Sequence, residues 1–112
     1  MCSLIQLEQI KRDIVDEYRR IYGDAIVRIV LYGSYARGEE TTESDVDITA
    51  IVRGERMELQ KKLPSLWDAS AQIGLENDAV VSPTVIPYDE FEKYKESLPY
   101  YMNIEKEGLA IG

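Results

Sequence analysis

Between Ala25 and Tyr32 the chain reads Ala-Ile-Val-Arg-Ile-Val-Leu-Tyr, and this run constrains the fold more than any other segment. It is β-branched and nearly continuous, without polar alternation, so it is expected to form a strand buried on both faces. Gly33 ends it. A second strand is expected over Val46–Val52, with Asp45, Asp47 and Thr49 on one face and Val46, Ile48 and Ala50 on the other. The polar stretch Gly38–Ser44 connects the two.

Ahead of these strands, Leu4, Leu7, Ile10, Ile14, Tyr18 and Ile21 recur at three- and four-residue spacing, which predicts an amphipathic helix over Leu4–Tyr22. Ser3 is placed to cap it and Gly23 to stop it. Glu8 with Arg12 and Asp16 with Arg20 stand at i, i+4 on its wet side. After the second strand, Glu55–Leu75 reads as a helix that Pro64 should kink or divide. Ala79–Ile86 reads as a third strand, broken at Pro83 and so better suited to a sheet edge or a bulge. A helix from Pro87 and Tyr88 to about Leu98 is interrupted by Pro99, and a short helix and tail are expected over Tyr100–Gly112.

The 112 residues are enough for one core, and the expectation is a single domain spanning 1–112. Hydrophobic residues at 45% and charged residues at 30% place the chain in the globular class. With 13 basic and 21 acidic residues the formal charge is −8, which repels phosphate backbones and argues against a nucleic-acid partner. The absence of histidine removes imidazole as base or ligand, so a bound metal must sit on oxygen. Cys2 is the only cysteine, which excludes an intrachain disulfide. No apolar run is long enough to span a bilayer and the start lacks a signal-peptide pattern, so no membrane association and a cytoplasmic location are expected.

The segment Leu31-Tyr32-Gly33-Ser34-Tyr35-Ala36-Arg37-Gly38, followed by Ser44-Asp45-Val46-Asp47-Ile48, carries the chemistry. A triphosphate needs donors that approach closely, and a Gly-Ser turn opening a helix supplies backbone N–H groups and a hydroxyl through Gly33 and Ser34. Arg37 is placed either to pair with a phosphate or simply to face solvent. Two aspartates at i, i+2 on a strand project from one face, so Asp45 and Asp47 can share or bracket Mg2+ or Mn2+. An isolated Asp-x-Asp is more often the polar face of an exposed strand; the preceding strand and Gly-Ser turn reverse that balance.

In order and spacing these residues resemble the Gly-Ser…Asp-x-Asp signature of the nucleotidyltransferase superfamily. The chain is similar to the minimal nucleotidyltransferases, the small type that occurs as antitoxin partner of HEPN-domain toxins. The resemblance implies an α/β (α+β) fold, a small mixed β-sheet flanked by helices with the motif strand beside the Asp-x-Asp strand. It implies transfer of a nucleoside monophosphate, AMP from ATP, to a hydroxyl with release of pyrophosphate. Gly33, Ser34 and Arg37 would then hold the nucleotide, and Asp45 and Asp47 would be the catalytic metal ligands. Fully active members of the superfamily carry a third acidic residue on a later strand, and Thr84 stands at that position here. Asp78 is the nearest acid that could stand in, although a turn or cap role suits it equally; Glu76 is the weaker candidate.

Tyr88, Tyr94, Tyr100 and Tyr101, with Phe91 and Met102, concentrate aromatic surface in the last quarter, where they pack a core or form a protein interface. Glu39, Glu40 and Glu43 read as a solvated loop. Three functions follow in order of support. The first is adenylation of a HEPN-type protein partner, and the second is neutralisation of that partner by stable binding without turnover. The weakest is transfer to a small molecule, which usually involves an additional domain or a dimer-built pocket. Nothing in the residues fixes the oligomeric state.

Overall fold

The chain opens with a helix whose start is fixed by its own side chains. The computed structural model describes residues 2–112. Ser3 accepts from the Gln6 N–H and the Gln6 side chain accepts from the Ser3 N–H, a reciprocal capping box that begins α1 (Leu4–Tyr22). Leu7, Ile10, Ile14, Val15, Tyr18 and Tyr22 form its buried stripe. Its surface pairs are Lys11 with Glu8 and Arg20 with Glu17 at i, i+3. These replace the expected i, i+4 pairs, a change that costs little because such exposed pairs contribute only tenths of about 1 kcal/mol.

A 3-10 turn over Gly23–Ala25 leads into β1 (Ile26–Tyr32), then α2 (Ser34–Arg37), β2 (Val46–Val52), α3 (Arg56–Glu76) and β3 (Val81–Pro87). α4 (Tyr88–Tyr94), α5 (Pro99–Glu107) and β4 (Leu109–Ala110) complete the order. The strands form one sheet in the order β3-β2-β1-β4. β1 pairs antiparallel with β2 and β4, while β2 pairs parallel with β3, so the sheet is mixed. Among the described residues no helix is long and apolar enough to cross a membrane.

Both faces of the sheet are packed, as the apolar run in β1 requires. Ile29, Leu31, Val46, Ile48, Ala50, Val52, Val81 and Val85 meet α1 and α3 on one face. On the other, Val30, Ile51 and Ile86 meet Phe91, Tyr101 and Ile104 of α4 and α5. The Tyr101 hydroxyl and the Arg56 guanidinium both donate to Glu90, which ties α5 and the start of α3 to α4. That second cover reaches only part of the face. The end of β2 carrying Asp47 lies beyond it.

Tyr18 is fully buried, and its hydroxyl donates to the Thr84 carbonyl at 2.6 Å and the Ile48 carbonyl at 3.3 Å, bracing the β2–β3 pair from behind. Tyr18→Phe is expected to cost about 1 kcal/mol, the net worth of a buried hydrogen bond. Urea unfolding should show this as a lower midpoint with an unchanged slope; an unchanged midpoint contradicts the brace.

Both strand and helix tolerate the prolines that were expected to break them. α3 runs undivided through Pro64, which is exposed, so water can serve the carbonyl that loses its donor. β3 runs unbroken through Pro83 at the sheet edge. The Val46 N–H donates to the Val80 carbonyl at 2.8 Å, so in the parallel ladder even-numbered residues of β3 face β2 and odd-numbered ones face outward. Pro83 and Pro87 therefore sit where no ladder N–H is needed. The helix expected to reach Leu98 stops at Tyr94, and Pro99 begins α5 rather than interrupting its predecessor. β4 falls within the expected tail. Val30 pairs with Ala110 and Leu31 with Leu109, and the Ile29 N–H donates to the Gly112 carbonyl at 2.7 Å.

Candidate active site

The turn after β1 is built around Gly33, whose φ of +77° lets the chain leave the strand and enter α2 at once. Its carbonyl accepts from the Ala36 N–H at 3.1 Å and the Arg37 N–H at 3.2 Å. The first N–H groups of a helix have no partner within it, which leaves those at the start of α2 available to an anion. Gly38, in the left-handed region, ends α2. The loop back to β2 is knitted by the Thr41 N–H donating to Ser44 Oγ at 2.8 Å and the Ser44 N–H donating to the Thr41 carbonyl at 3.1 Å, and Asp45 follows directly.

Register then sets the neighbours. Tyr32 of β1 stands opposite Asp47 of β2, and Asp47 stands opposite Ser82 of β3. The residue after Tyr32 is Gly33, and its backbone lies so close to Asp47 that a Cβ there would be 2.5 Å from Asp47 Oδ2. The glycine is thus required twice, by its backbone angle and by the carboxylate in front of it. Asp45 is exposed and accepts from the Ser82 hydroxyl at 3.3 Å. Asp47 is half-buried.

Burial raises the Asp47 carboxyl above its ordinary range, the Asp45 charge adds to the rise, and Arg37 opposes it. A carboxyl whose pKa rises on folding weakens the fold while ionised, and the cost fades as the pH drops through the raised pKa. Asp47→Asn is therefore expected to raise the Tm of the metal-free protein at neutral pH by a few degrees, with the gap from wild type closing as the pH falls. Thermal unfolding in a chelator measures this; a lower Tm at neutral pH contradicts it.

Of the six residues singled out in the sequence, five come together. Gly33 and Ser34 form the turn, and Asp45 and Asp47 sit beside it. Arg37 is near enough to Asp47 to lower its pKa, and its guanidinium is shared between Glu39 and Glu107 at 3.4 Å each. These long, exposed pairs are weak, so a phosphate could replace them. Asp78 lines a hollow with Asp45 without forming a three-acid cluster with Asp45 and Asp47. It sits in the turn between α3 and β3 with a φ of 53°, and no group of three acids placed to hold a metal occurs among the described residues. The turn role left open for Asp78 is the one it has.

Thr84 lies on the same face as Asp47, one ladder step further in and opposite Thr49. Both hydroxyl oxygens are buried without a protein hydrogen-bond partner. A second pair was not legible beforehand: the hydroxyls of Tyr32 and Tyr100 meet at 2.9 Å, with their rings edge to face. Burial, reinforced by Tyr100, pushes the Tyr32 phenol well above its ordinary value. Tyr32 is on the Asp47 face by strand alternation, so the β1–β2 register could have revealed it; Tyr100 is 68 positions away and could not be found that way.

The donor set fits a hard divalent cation. It consists of two carboxylates on one face, a glycine backbone in front of them and no nitrogen or sulfur ligand, as Mg2+ or Mn2+ prefers. Asp45 and Asp47 would hold it, beside the Gly33–Ser34 turn and with Arg37 near Asp47.

The chain belongs to the nucleotidyltransferase domain family, whose model matches residues 8–111. Two similar proteins come from Methanocaldococcus jannaschii, and both bear the name "putative protein adenylyltransferase". One is 30% identical over 93 residues, covering 73% of this chain and 92% of its own. The other is 29% identical over 104 residues, covering 93% and 96%. Among solved structures, a chain from a crystal structure of a toxin-antitoxin with AMP-PNP superposes with a TM-score of 0.57. It is 16% identical, over 91% of this chain and 72% of that one, so the likeness is one of fold. The mixed sheet with flanking helices is the nucleotidyltransferase fold.

Proposed function

We propose that the protein is a metal-dependent adenylyltransferase that moves AMP from ATP to a side-chain hydroxyl of a HEPN-type toxin and acts in the cytoplasm as its antitoxin. The observation that carries this reading is the close approach of the Gly33 backbone to Asp47 with Asp45 alongside, which sets the first N–H groups of α2 beside a pair of carboxylates with charge for metal. The names of the similar proteins support a protein acceptor, and the toxin-antitoxin likeness supports the kind of partner.

In the reaction the acceptor oxygen bonds to the α-phosphorus, and the bond from that phosphorus to its bridging oxygen breaks. Pyrophosphate leaves and the hydroxyl proton passes to solvent. Bound Mg2+ would supply charge neutralisation at the phosphates. Asp45 and Asp47 hold and orient the metal–nucleotide, the backbone at Gly33 and Ser34 donates to phosphate oxygens, and Arg37 pairs with phosphate after leaving Glu39 and Glu107. Catalysis of this kind is positioning and electrostatics.

Incubation with a HEPN-type toxin partner, ATP and Mg2+ should add one adenylyl mass to that partner. If no mass is added while the two proteins still form a complex, a second reading gains. Thr84, in place of a third carboxylate, favours that reading, in which the chain neutralises its partner by binding alone. In it, the doubly substituted Asp45→Asn, Asp47→Asn protein still protects cells from the toxin; loss of protection rules it out.

A further inference from the structure

Beside the Asp45 loop, a groove runs between the C-terminal half of α3 and the outer edge of β3. Trp67, Ala71, Leu75, Ala79, Val80 and Pro83 line a hollow of about 590 Å3 there. A second hollow of about 370 Å3 shares Leu75, Ala79 and Val80 with it and reaches Asp45. The groove is thus continuous with the candidate active site.

Three large apolar side chains stand in this strip with much of their surface in water: Trp67 at 52%, Leu75 at 80% and Val80 at 62% exposure. Scattered apolar residues on a surface are ordinary, but a contiguous strip marks an interaction site. Its walls are held in place. Trp67 Nε1 donates to the Pro83 carbonyl at 3.3 Å, fixing the indole against β3. Gly74 lies so near the Ala79 carbonyl that a Cβ would be 2.5 Å from it, which keeps α3 close to the lead-in of β3.

Charge selects the occupant. Glu43, Asp45 and Asp78 line the end nearest the active site, and no lysine or arginine lines either hollow. With a formal charge of −8 on the whole chain, a second copy would bring acid against acid. The outward ladder positions Pro83 and Pro87 offer no N–H, so an incoming segment cannot add to β3 as a full strand and must bind through its side chains.

We propose that this groove docks the acceptor polypeptide. Apolar residues of the acceptor pack on Trp67, Leu75 and Val80, and a basic residue sits between Glu43 and Asp78, leaving Asp45 to the metal. That arrangement carries the acceptor hydroxyl to the Asp45–Asp47 end. The proposal rests on the adenylyltransferase reading given above and specifies its substrate.

Trp67 is the only tryptophan, so its fluorescence reports the groove directly. The probe is a synthetic amphipathic peptide with leucines at helical spacing and lysines at one end. It should shift the Trp67 emission to the blue saturably, and a version with glutamates for lysines should bind at least about tenfold more weakly. Val80→Glu should weaken the peptide by at least about tenfold, and should raise the KM for the HEPN-type acceptor similarly while leaving the KM for ATP unchanged. A blue shift produced by protein concentration alone would assign the groove to self-association, and one produced by ATP with Mg2+ alone would assign it to the nucleobase; either overturns the proposal. Equal binding of both peptides, or an unchanged acceptor KM in Val80→Glu, overturns it as well. Asp47→Asn separates the two readings, since it should abolish transfer and keep the peptide response. Wild-type protein that binds the peptide without transferring AMP contradicts the reaction and leaves the groove standing.

Discussion

Replacing Asp45 and Asp47 together with asparagine should lower kcat/KM for nucleotidyl transfer by at least about a thousandfold, the scale of losing a preorganised electrostatic contact at a transferring phosphoryl group. Asparagine keeps the shape of each side chain and one oxygen. It loses the charge that draws a divalent cation out of water, and Mg2+ surrenders its hydration reluctantly. The fold should survive, because Asp45 is exposed and Asp47 meets its own burial and the Asp45 charge without a matching stabilisation. Circular dichroism should therefore match wild type, and calorimetric titration should show no Mg2+-dependent ATP binding. Transfer within about tenfold of wild type would place the metal site elsewhere.

Gly33→Val should be the most damaging single substitution in the turn. A β-branched residue at φ +77° and ψ −155°, a region essentially only glycine adopts, costs about 1–3 kcal/mol in backbone strain, and its Cβ would collide with the carboxylate oxygen 2.5 Å away. Asp47 cannot retreat freely, since the ladder holds it between Tyr32 and Ser82. The collision adds about 1–3 kcal/mol, and the displaced carboxylate and turn should cost transfer at least about a hundredfold, as small misplacements of catalytic groups do. Gly38 provides the control. Its φ of +70° with ψ 24° lies in the left-handed region, which a side chain can enter at modest cost, and a Cβ there meets nothing within 4 Å. Gly38→Ala should therefore lower stability by about 1 kcal/mol and leave ATP affinity nearly unchanged. If Gly33→Val transfers as well as Gly38→Ala, the contact between Gly33 and Asp47 is irrelevant to the reaction.

Local chemistry accounts for what was legible in the sequence. α1 was readable from cap to cap because Ser3, Gln6 and the apolar stripe lie within one turn-by-turn pattern. The Gly33 turn and the two aspartates were readable because backbone freedom and strand alternation act over a few residues. Prolines were harder. Their penalty depends on which side of a helix or ladder the missing N–H falls, and Pro64 faces solvent while Pro83 faces away from β2. β4 was not legible at all, since two residues carry no periodicity and their pairing is supplied by β1. In the site, Tyr100 meeting Tyr32, Ser82 reaching Asp45 and Glu107 reaching Arg37 are contacts across 68, 37 and 70 positions. Only the packed sheet and α5 create them. The groove at Trp67 was hidden for the same reason: Trp67 and Leu75 lie within the expected Glu55–Leu75 helix, and only the edge position of β3 leaves them uncovered.

Transfer of the α-phosphoryl group of ATP with its nucleoside is the reaction proposed for this site. The direct test incubates the protein, Mg2+ and a HEPN-type toxin partner with ATP labelled at either the α- or the γ-phosphate. The α-label should enter the partner, the γ-label should leave as pyrophosphate, and a chelator should stop both. Incorporation of the γ-label, or α-labelling that persists in the double asparagine variant, would contradict that reaction.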